Sequence, residues 1–194
     1  MLGFEYLFRV LCHQLPSRSP QWEGLIFPLC WRCAGMHLGM FSCYVSLLIG
    51  SSRRRRPLWF PYAALPIMLL LPLAVDGLGN FFSLWSSPGW IRAVTGLGAG
   101  VALPLLLQML VQPSGPIVPA SGLPAPYDWT FLSAFLWPIA IGSAGIWLLV
   151  HPFSTMVFRI LAIAAATGTV LFFAQFSRAW FCSVRRGRPI VSTK

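Results

Sequence analysis

Five stretches of this chain run for about 20 residues with almost no charge: Cys33–Gly50, Leu58–Val75, Trp90–Val111, Trp129–Val150 and Phe153–Phe176. A run of about 20 apolar residues, coiled as a helix, matches the hydrocarbon thickness of a bilayer. Lipid offers no partner to a backbone N–H or C=O, so each run must satisfy its own amides as a helix. The sequence therefore predicts an all-α, polytopic membrane bundle, one domain over residues 1–194. Composition agrees: 9% of the residues are charged, against about 25% in a soluble domain. Pro61, Pro66, Pro72, Pro104 and Pro138 lie inside the runs, where neighbouring helices must take up the carbonyls that proline frees. Gly35 and Gly39, and again Gly96 and Gly100, stand one helical turn apart. That spacing lets two membrane helices approach closely.

The net charge of +10 is not laid out as a nucleic-acid surface. Arg53, Arg54, Arg55 and Arg56 follow the first run, and Arg178, Arg185, Arg186, Arg188 and Lys194 follow the last. Basic residues flanking membrane spans mark the cytoplasmic side and meet anionic headgroups. With the Arg53–Arg56 block inside, residues 1–32 and the loop near 76–90 fall outside. The Pro/Gly/Ser-rich loop Gln112–Tyr127 and the basic tail 177–194 fall inside. The two basic clusters thus land on one side. The expected partners are the lipid bilayer and a second membrane protein or another copy of the chain, with no nucleic acid. The opening MLGFEYLFRVL lacks a basic start and a small-residue cleavage site, and holds Glu5 and Arg9. It reads as a short interfacial helix rather than a signal peptide, with Phe4, Leu7, Phe8 and Leu11 at helical spacing.

Just before the first run the chain reads CHQLPSRSPQWEGLIFPLCWRC. Cys30 and Cys33 form C-x-x-C, and Cys12 stands beside His13 upstream. Thiolate and imidazole suit zinc, so Cys12, Cys30, Cys33 and His13 make a metal-ligand set. His37 lies one turn past Cys33 and shares its helical face, so it can replace His13. The same thiols also fit other roles. Cys30 and Cys33 can cycle as a redox dithiol with Cys12 as the resolving thiol. Cys12 can form a structural disulfide with Cys30 or Cys33, or all three can pack as small hydrophobes. Ala34 follows Cys33 where a c-type haem needs histidine. Met36 and Met40 flank His37 in a way that suits copper, although methionine is more often core filling. Cys43 reads as packing within a span and Cys182 as a reduced cytoplasmic thiol.

Asp76 closes the second run and Arg92 opens the third, on the same predicted side as the cysteines. Charges at membrane depth face one another or a wet cavity. Asp76 is therefore expected to pair with Arg32 or Arg92, either as a tie between spans or as a working carboxylate. Asp76, Arg32 and Arg92 are the catalytic candidates. Arg18, Ser19, Arg32 and Arg92 can together grip a phosphate or carboxylate, although single arginines also reach to the interface without a ligand.

Taken together, CHQLPSRS, CWRCAGMHLG, DGLGN and IRAVTG resemble an uncharacterised family of small prokaryotic membrane proteins, a domain of unknown function. Its pattern runs C-H-Q-x-P-x-R-S, C-x-R-C-x-G-x-x-x-G, D-G-x-x-Q and R-x-x-T-G. The matching positions are Cys12, His13, Gln14, Pro16, Arg18, Ser19, Cys30, Arg32, Cys33, Gly35, Gly39, Asp76, Gly77, Arg92, Thr95 and Gly96. They span roughly residues 12 to 110, and Asn80 stands where the pattern prefers Gln. The resemblance implies a multi-span protein of a prokaryotic cytoplasmic (inner) membrane and carries no activity.

Three readings follow from these residues. The first is a zinc-like site at the outer face beside an Asp/Arg pocket that handles a lipid-like or anionic small molecule. The second is a membrane thiol-disulfide oxidoreductase using Cys30 and Cys33. The third is a non-enzymatic subunit or assembly factor of a membrane complex. The chain carries no nucleotide-binding Gly loop, no Ser/His/Asp set and no carboxylate pair for glycoside chemistry.

Overall fold

A computed structural model describes residues 8–9, 12–50, 64–111, 129–151 and 154–186. The Arg53–Arg56 block, the Gln112–Tyr127 loop, most of the N-terminal helix and the tail beyond residue 186 lie outside the described residues. Among the described residues, five long helices carry the fold: α1 Trp31–Gly50, α2 Ala64–Phe81, α3 Gly89–Val111, α4 Trp129–Val150 and α5 Thr155–Arg186. Each overlaps one of the five apolar runs. Three of them, over Ala64–Phe81, Gly89–Met109 and Thr155–Phe181, are each long and apolar enough to cross a membrane. The chain is an all-α, multi-pass membrane protein.

Two helices outrun their apolar stretches. α2 continues past Val75 through DGLGN to Phe81, so Asp76 and Asn80 are one turn apart on a helix rather than in a loop. No proline interrupts that segment, and side-chain hydrogen bonds at Asp76 and Asn80 hold it. α5 runs 32 residues, to Arg186, longer than a bilayer core requires.

A helix rich in polar side chains occupies the centre. α1 carries Arg32, Cys33, His37, Ser42 and Ser46, and it packs against α3, α4 and α5. Sheathed by other helices, it meets protein where a peripheral helix would meet lipid. α2 packs on α3 and leaves Ile67, Met68, Leu71, Val75 and Leu78 exposed. In a bilayer that face is covered by acyl chains.

Glycine sets the closest approach. A Cβ on Gly35 would strike the Ala93 carbonyl, and one on Gly96 would strike that of Arg32. Gly39 lies against the Leu97 carbonyl and Gly100, while Gly100 lies against the Met36 carbonyl. Gly35 to Gly39 on α1 is matched by Ala93 to Leu97 on α3, in the same direction, so the two helices run parallel. The two small-residue motifs are each other's partner, and the N-termini of α1 and α3 lie side by side.

The segment before α1 caps that end of the bundle. A 3-10 turn, Pro16–Arg18, leads into an antiparallel ribbon of β1 Gln21–Trp22 and β2 Leu25–Ile26. Gln21 stands opposite Ile26. The turn residues Glu23 (φ +46°) and Gly24 (φ +77°) are both left-handed, which suits the right-handed twist of a two-residue hairpin. Phe8, Phe27 and Leu29 sink into a core with Leu38, Leu149 and Phe158. The Phe27 and Phe158 rings meet edge to face at 5.0 Å. Phe8 and Arg9 are helical, but Phe8 is 0% exposed and buried among protein side chains rather than turned to lipid.

Candidate functional site

The cysteines are brought together by two local devices. Cys12 precedes Gln14, whose left-handed backbone (φ +49°) turns the chain back, and Gln14 Nε2 donates to the Pro28 carbonyl at 3.0 Å. That bond ties the Cys12 turn to the residues entering α1. Cys30 caps α1: its carbonyl accepts the Ala34 N–H at 2.8 Å. Cys33 follows in the first helical turn. The Sγ atoms of Cys12, Cys30 and Cys33 all lie within 4.8 Å of one another, and all three thiols are free.

The surroundings favour the anionic form at Cys12. The Cys30 N–H donates to Cys12 Sγ at 3.3 Å. Hydrogen bonds from the Cys30 thiol, then the Cys33 thiol, hold Cys12 far below the usual thiol range, assisted by the backbone of Cys30 and Gln14. Sharing that bond with Cys12 pushes Cys30 the other way. The N-terminal end of α1 adds its dipole, which favours thiolate over thiol. Three sulfurs this close repel once ionised, and a divalent cation removes the repulsion. The donor set therefore fits a thiophilic metal.

The histidines separate. His13 is exposed and His37 is 3% exposed, and neither belongs to the close thiol group. His37 is fixed from across the bundle. Gly168 brings α5 against the α1 backbone, with its Cα hydrogen pointing at the His37 carbonyl and the Phe41 amide. The next residue, Thr169, places Oγ1 at 2.7 Å from His37 Nδ1 and at 3.0 Å from the Ala165 carbonyl. The threonine has one hydroxyl proton, and a carbonyl can only accept. The proton therefore goes to Ala165, so Nδ1 is the donor in the other bond. That tautomer leaves Nε2 as a bare lone pair, and Nε2 is buried without a partner.

The second cluster lies between α1, α2 and α3. Asp76, 6% exposed, forms an ion pair through Oδ2 with Arg32 Nη2. Oδ1 accepts from Ser87 Oγ and from Asn80 Nδ2, the latter at 3.0 Å. Asn80 Oδ1 accepts Arg92 Nη2 at 2.7 Å and the Ser87 N–H at 3.3 Å. Thr95 Oγ1 donates to the Arg92 carbonyl at 3.1 Å, and lies 3.5 Å from Asp76 Oδ2. Of the two expected partners, Arg32 takes Asp76 directly and Arg92 is reached through Asn80. The Trp85 ring against Gly79 folds the loop back, which delivers Ser87. Ser87 and Thr169 carry no signal in the sequence, because their roles depend on how distant helices are rotated. Asn80 is visible only as a departure from the family pattern.

The remaining candidates stay apart. Arg18 is exposed in the 3-10 turn, and Ser19 donates its hydroxyl to the Leu15 carbonyl at 3.1 Å rather than toward Arg32. Cys43 is fully buried among Ala93, Leu97 and Val101. Met40 is buried and Met36 half-buried. The Cys182 side chain lies outside the described residues.

A family described as "Predicted membrane protein (DUF2085)" matches residues 12–106. An uncharacterized protein of Methanothermobacter thermautotrophicus is 33% identical over 106 residues, covering 53% of this chain and 89% of that relative. An uncharacterized protein of Methanocaldococcus jannaschii is 29% identical over 112 residues, covering 55% of this chain and 70% of the relative. No solved structure matches. The family match holds Cys12, Cys30, Cys33, Arg32, Asp76 and Arg92 and stops inside α3, so Thr169 and all of α4 and α5 lie beyond it. The chain belongs to this family of predicted membrane proteins.

Proposed function

We propose that this protein holds a zinc-like ion at Cys12, Cys30 and Cys33, at the outer face of a prokaryotic inner membrane. Beside it, the Arg32, Asp76 and Arg92 pocket takes a lipid-like or anionic small molecule. The observation that carries the ion is the convergence of three free sulfurs within 4.8 Å, drawn from two separate stretches of chain. Of the two histidines, His37 suits the fourth place. A helical side chain leans toward the N-terminus of its helix, which carries His37 toward Cys33 one turn above. Its Nδ1 already donates outward, the usual arrangement of a ligating imidazole. His13, exposed, offers no comparable support. A Cys3His set fills a tetrahedron and leaves no open position, which is the pattern of a structural site. The ion would then fasten the N-terminal cap to α1, at the end of the bundle where the polar pocket lies.

The test is metal analysis of the full chain purified in neutral detergent without chelator. One equivalent of zinc per chain is the expected result, falling below about a tenth of that in Cys30→Ser and in Cys12→Ser. A folded protein without stoichiometric metal would overturn the reading. A second reading draws on the same free thiols: with Cys12 held toward thiolate beside two neighbours, the triad has the make-up of a thiol-disulfide exchange centre. Acid trapping in cells separates the two. Cycling of Cys30 and Cys33 between thiol and disulfide favours exchange, and permanently reduced, metal-protected thiols favour the ion.

A further inference from the structure

Two guanidinium groups in the second cluster are only half used. Arg32 is anchored through Nη2 to Asp76, and Arg92 through Nη2 to Asn80. In both residues Nε is buried and has no partner. A buried N–H without an acceptor costs about 1–3 kcal/mol, more when the group is charged. Two of them in one network is a shortfall of acceptors.

The charge count shows the same shortfall. The network holds two guanidinium charges and one carboxylate, with Asn80, Ser87 and Thr95 neutral. The other acid among the described residues with a resolved side chain, Glu23, is exposed in the hairpin turn. Asp76 accepts Arg32 at Oδ2 and Ser87 and Asn80 at Oδ1, and it carries a single negative charge. It braces the arginines and cannot also neutralise both. An unbalanced cation at the edge of a bilayer draws a counter-anion. Arg32 is 30% exposed, so an anion can reach the cluster from the capped end of the bundle. The parallel α1–α3 pair also places two helix N-termini there, and these favour negative charge.

We propose that Arg32 and Arg92 form an oxyanion site for a phosphate group, supplied either by a lipid headgroup or as the free anion. The phosphate oxygens supply acceptors that the guanidinium forks lack, and their shape suits the fork as a lone halide does not. Asp76 and Asn80 are positioning residues that set the two forks. This deepens the anionic-ligand half of the function proposed above and is independent of the ion.

The experiment uses the purified full chain in neutral detergent with 0.15 M chloride, on the order of physiological ionic strength. One arm titrates inorganic phosphate and follows its 31P line width. The other follows retention of phosphatidylglycerol against phosphatidylcholine by native mass spectrometry. Zinc content is measured on the same samples. Binding in either arm is expected for the wild type, weakened at least 10-fold in Arg92→Gln, which leaves the Arg32–Asp76 pair in place. Arg92→Lys keeps the charge and loses the fork, so it should recover only part of the binding. It also serves as the readout if Arg92→Gln fails to fold. Retention of phosphatidylglycerol alone assigns the headgroup, and broadening by inorganic phosphate assigns the free anion. Folded wild type that binds neither, or binding unchanged in both Arg92 variants, overturns the proposal. Phosphate binding without zinc would sink the ion alone, and zinc without phosphate binding would sink this site alone.

Discussion

Thr169 tests the His37 assignment more cleanly than His37 itself, because valine keeps its shape and removes only the oxygen. In Thr169→Val, Nδ1 loses its acceptor, and the imidazole is free to move its proton to Nε2, the nitrogen needed for the metal. Outer partners of this kind are worth about 10- to 100-fold in metal affinity. We therefore expect zinc affinity, measured by competition with a chromogenic chelator, to fall by about that factor. His13→Ala should leave it within about 3-fold. A larger effect at His13 than at Thr169 would move the fourth ligand to His13. The residue scale is also where the sequence is most uneven as a guide. Cys12, Cys30 and Cys33 are readable because C-x-x-C and a nearby thiol are short-range patterns, and His37 follows from one helical turn. Thr169 is 132 positions from His37, and Ser87 reaches Asp76 across a loop. Nothing local marks either residue.

Among the elements, the α1–α3 contact decides where Arg32 and Arg92 stand relative to one another. Gly96 lies beneath the Arg32 carbonyl, with no room for a Cβ, whereas Gly77 on α2 has nothing within 4 Å of where a Cβ would sit. The two glycines therefore respond in opposite ways to one methyl group. Gly96→Ala should destabilise by about 1–3 kcal/mol, the cost of forcing extra volume into a packed contact. Gly77→Ala should be neutral or stabilise by up to about 1 kcal/mol, because alanine suits a helix interior better. Unfolding midpoints in detergent measure both, and similar losses at the two positions would refute the contact. Here the sequence was legible up to a point. Both small-residue motifs stand out from their spacing, and the alternation of spans makes the first and third cross in the same direction. That they pair with one another, and not with a second chain, is a property of the bundle. The end of α2 is less legible, because Asp76 and two glycines look like the close of a membrane span. Side-chain hydrogen bonds to Asp76 and Asn80 keep the helix going.

For the whole molecule, the question is which side of the membrane carries the thiol cluster. The Arg53–Arg56 block and the tail arginines all favour the cytoplasm, and if all five helices cross, the start of the first and the end of the last lie on opposite sides. On that count the capped end of the bundle faces outward, in an oxidising compartment where unprotected neighbouring thiols tend to form disulfides. Three free thiols there need protection, which the proposed ion would provide by holding each sulfur as a ligand. On the cytoplasmic side the same thiols would stay reduced unaided, and the exchange reading would lose its oxidant. Orientation is therefore evidence about chemistry. Ser17, exposed in the 3-10 turn, marks the capped end, and Ser192 marks the tail. With the wild type as background, a membrane-impermeant maleimide should label Ser17→Cys in intact cells and Ser192→Cys only after permeabilisation. The reverse pattern would turn the bundle over, place Arg32 and Arg92 against the anionic cytoplasmic leaflet, and remove the need for an ion to protect the thiols.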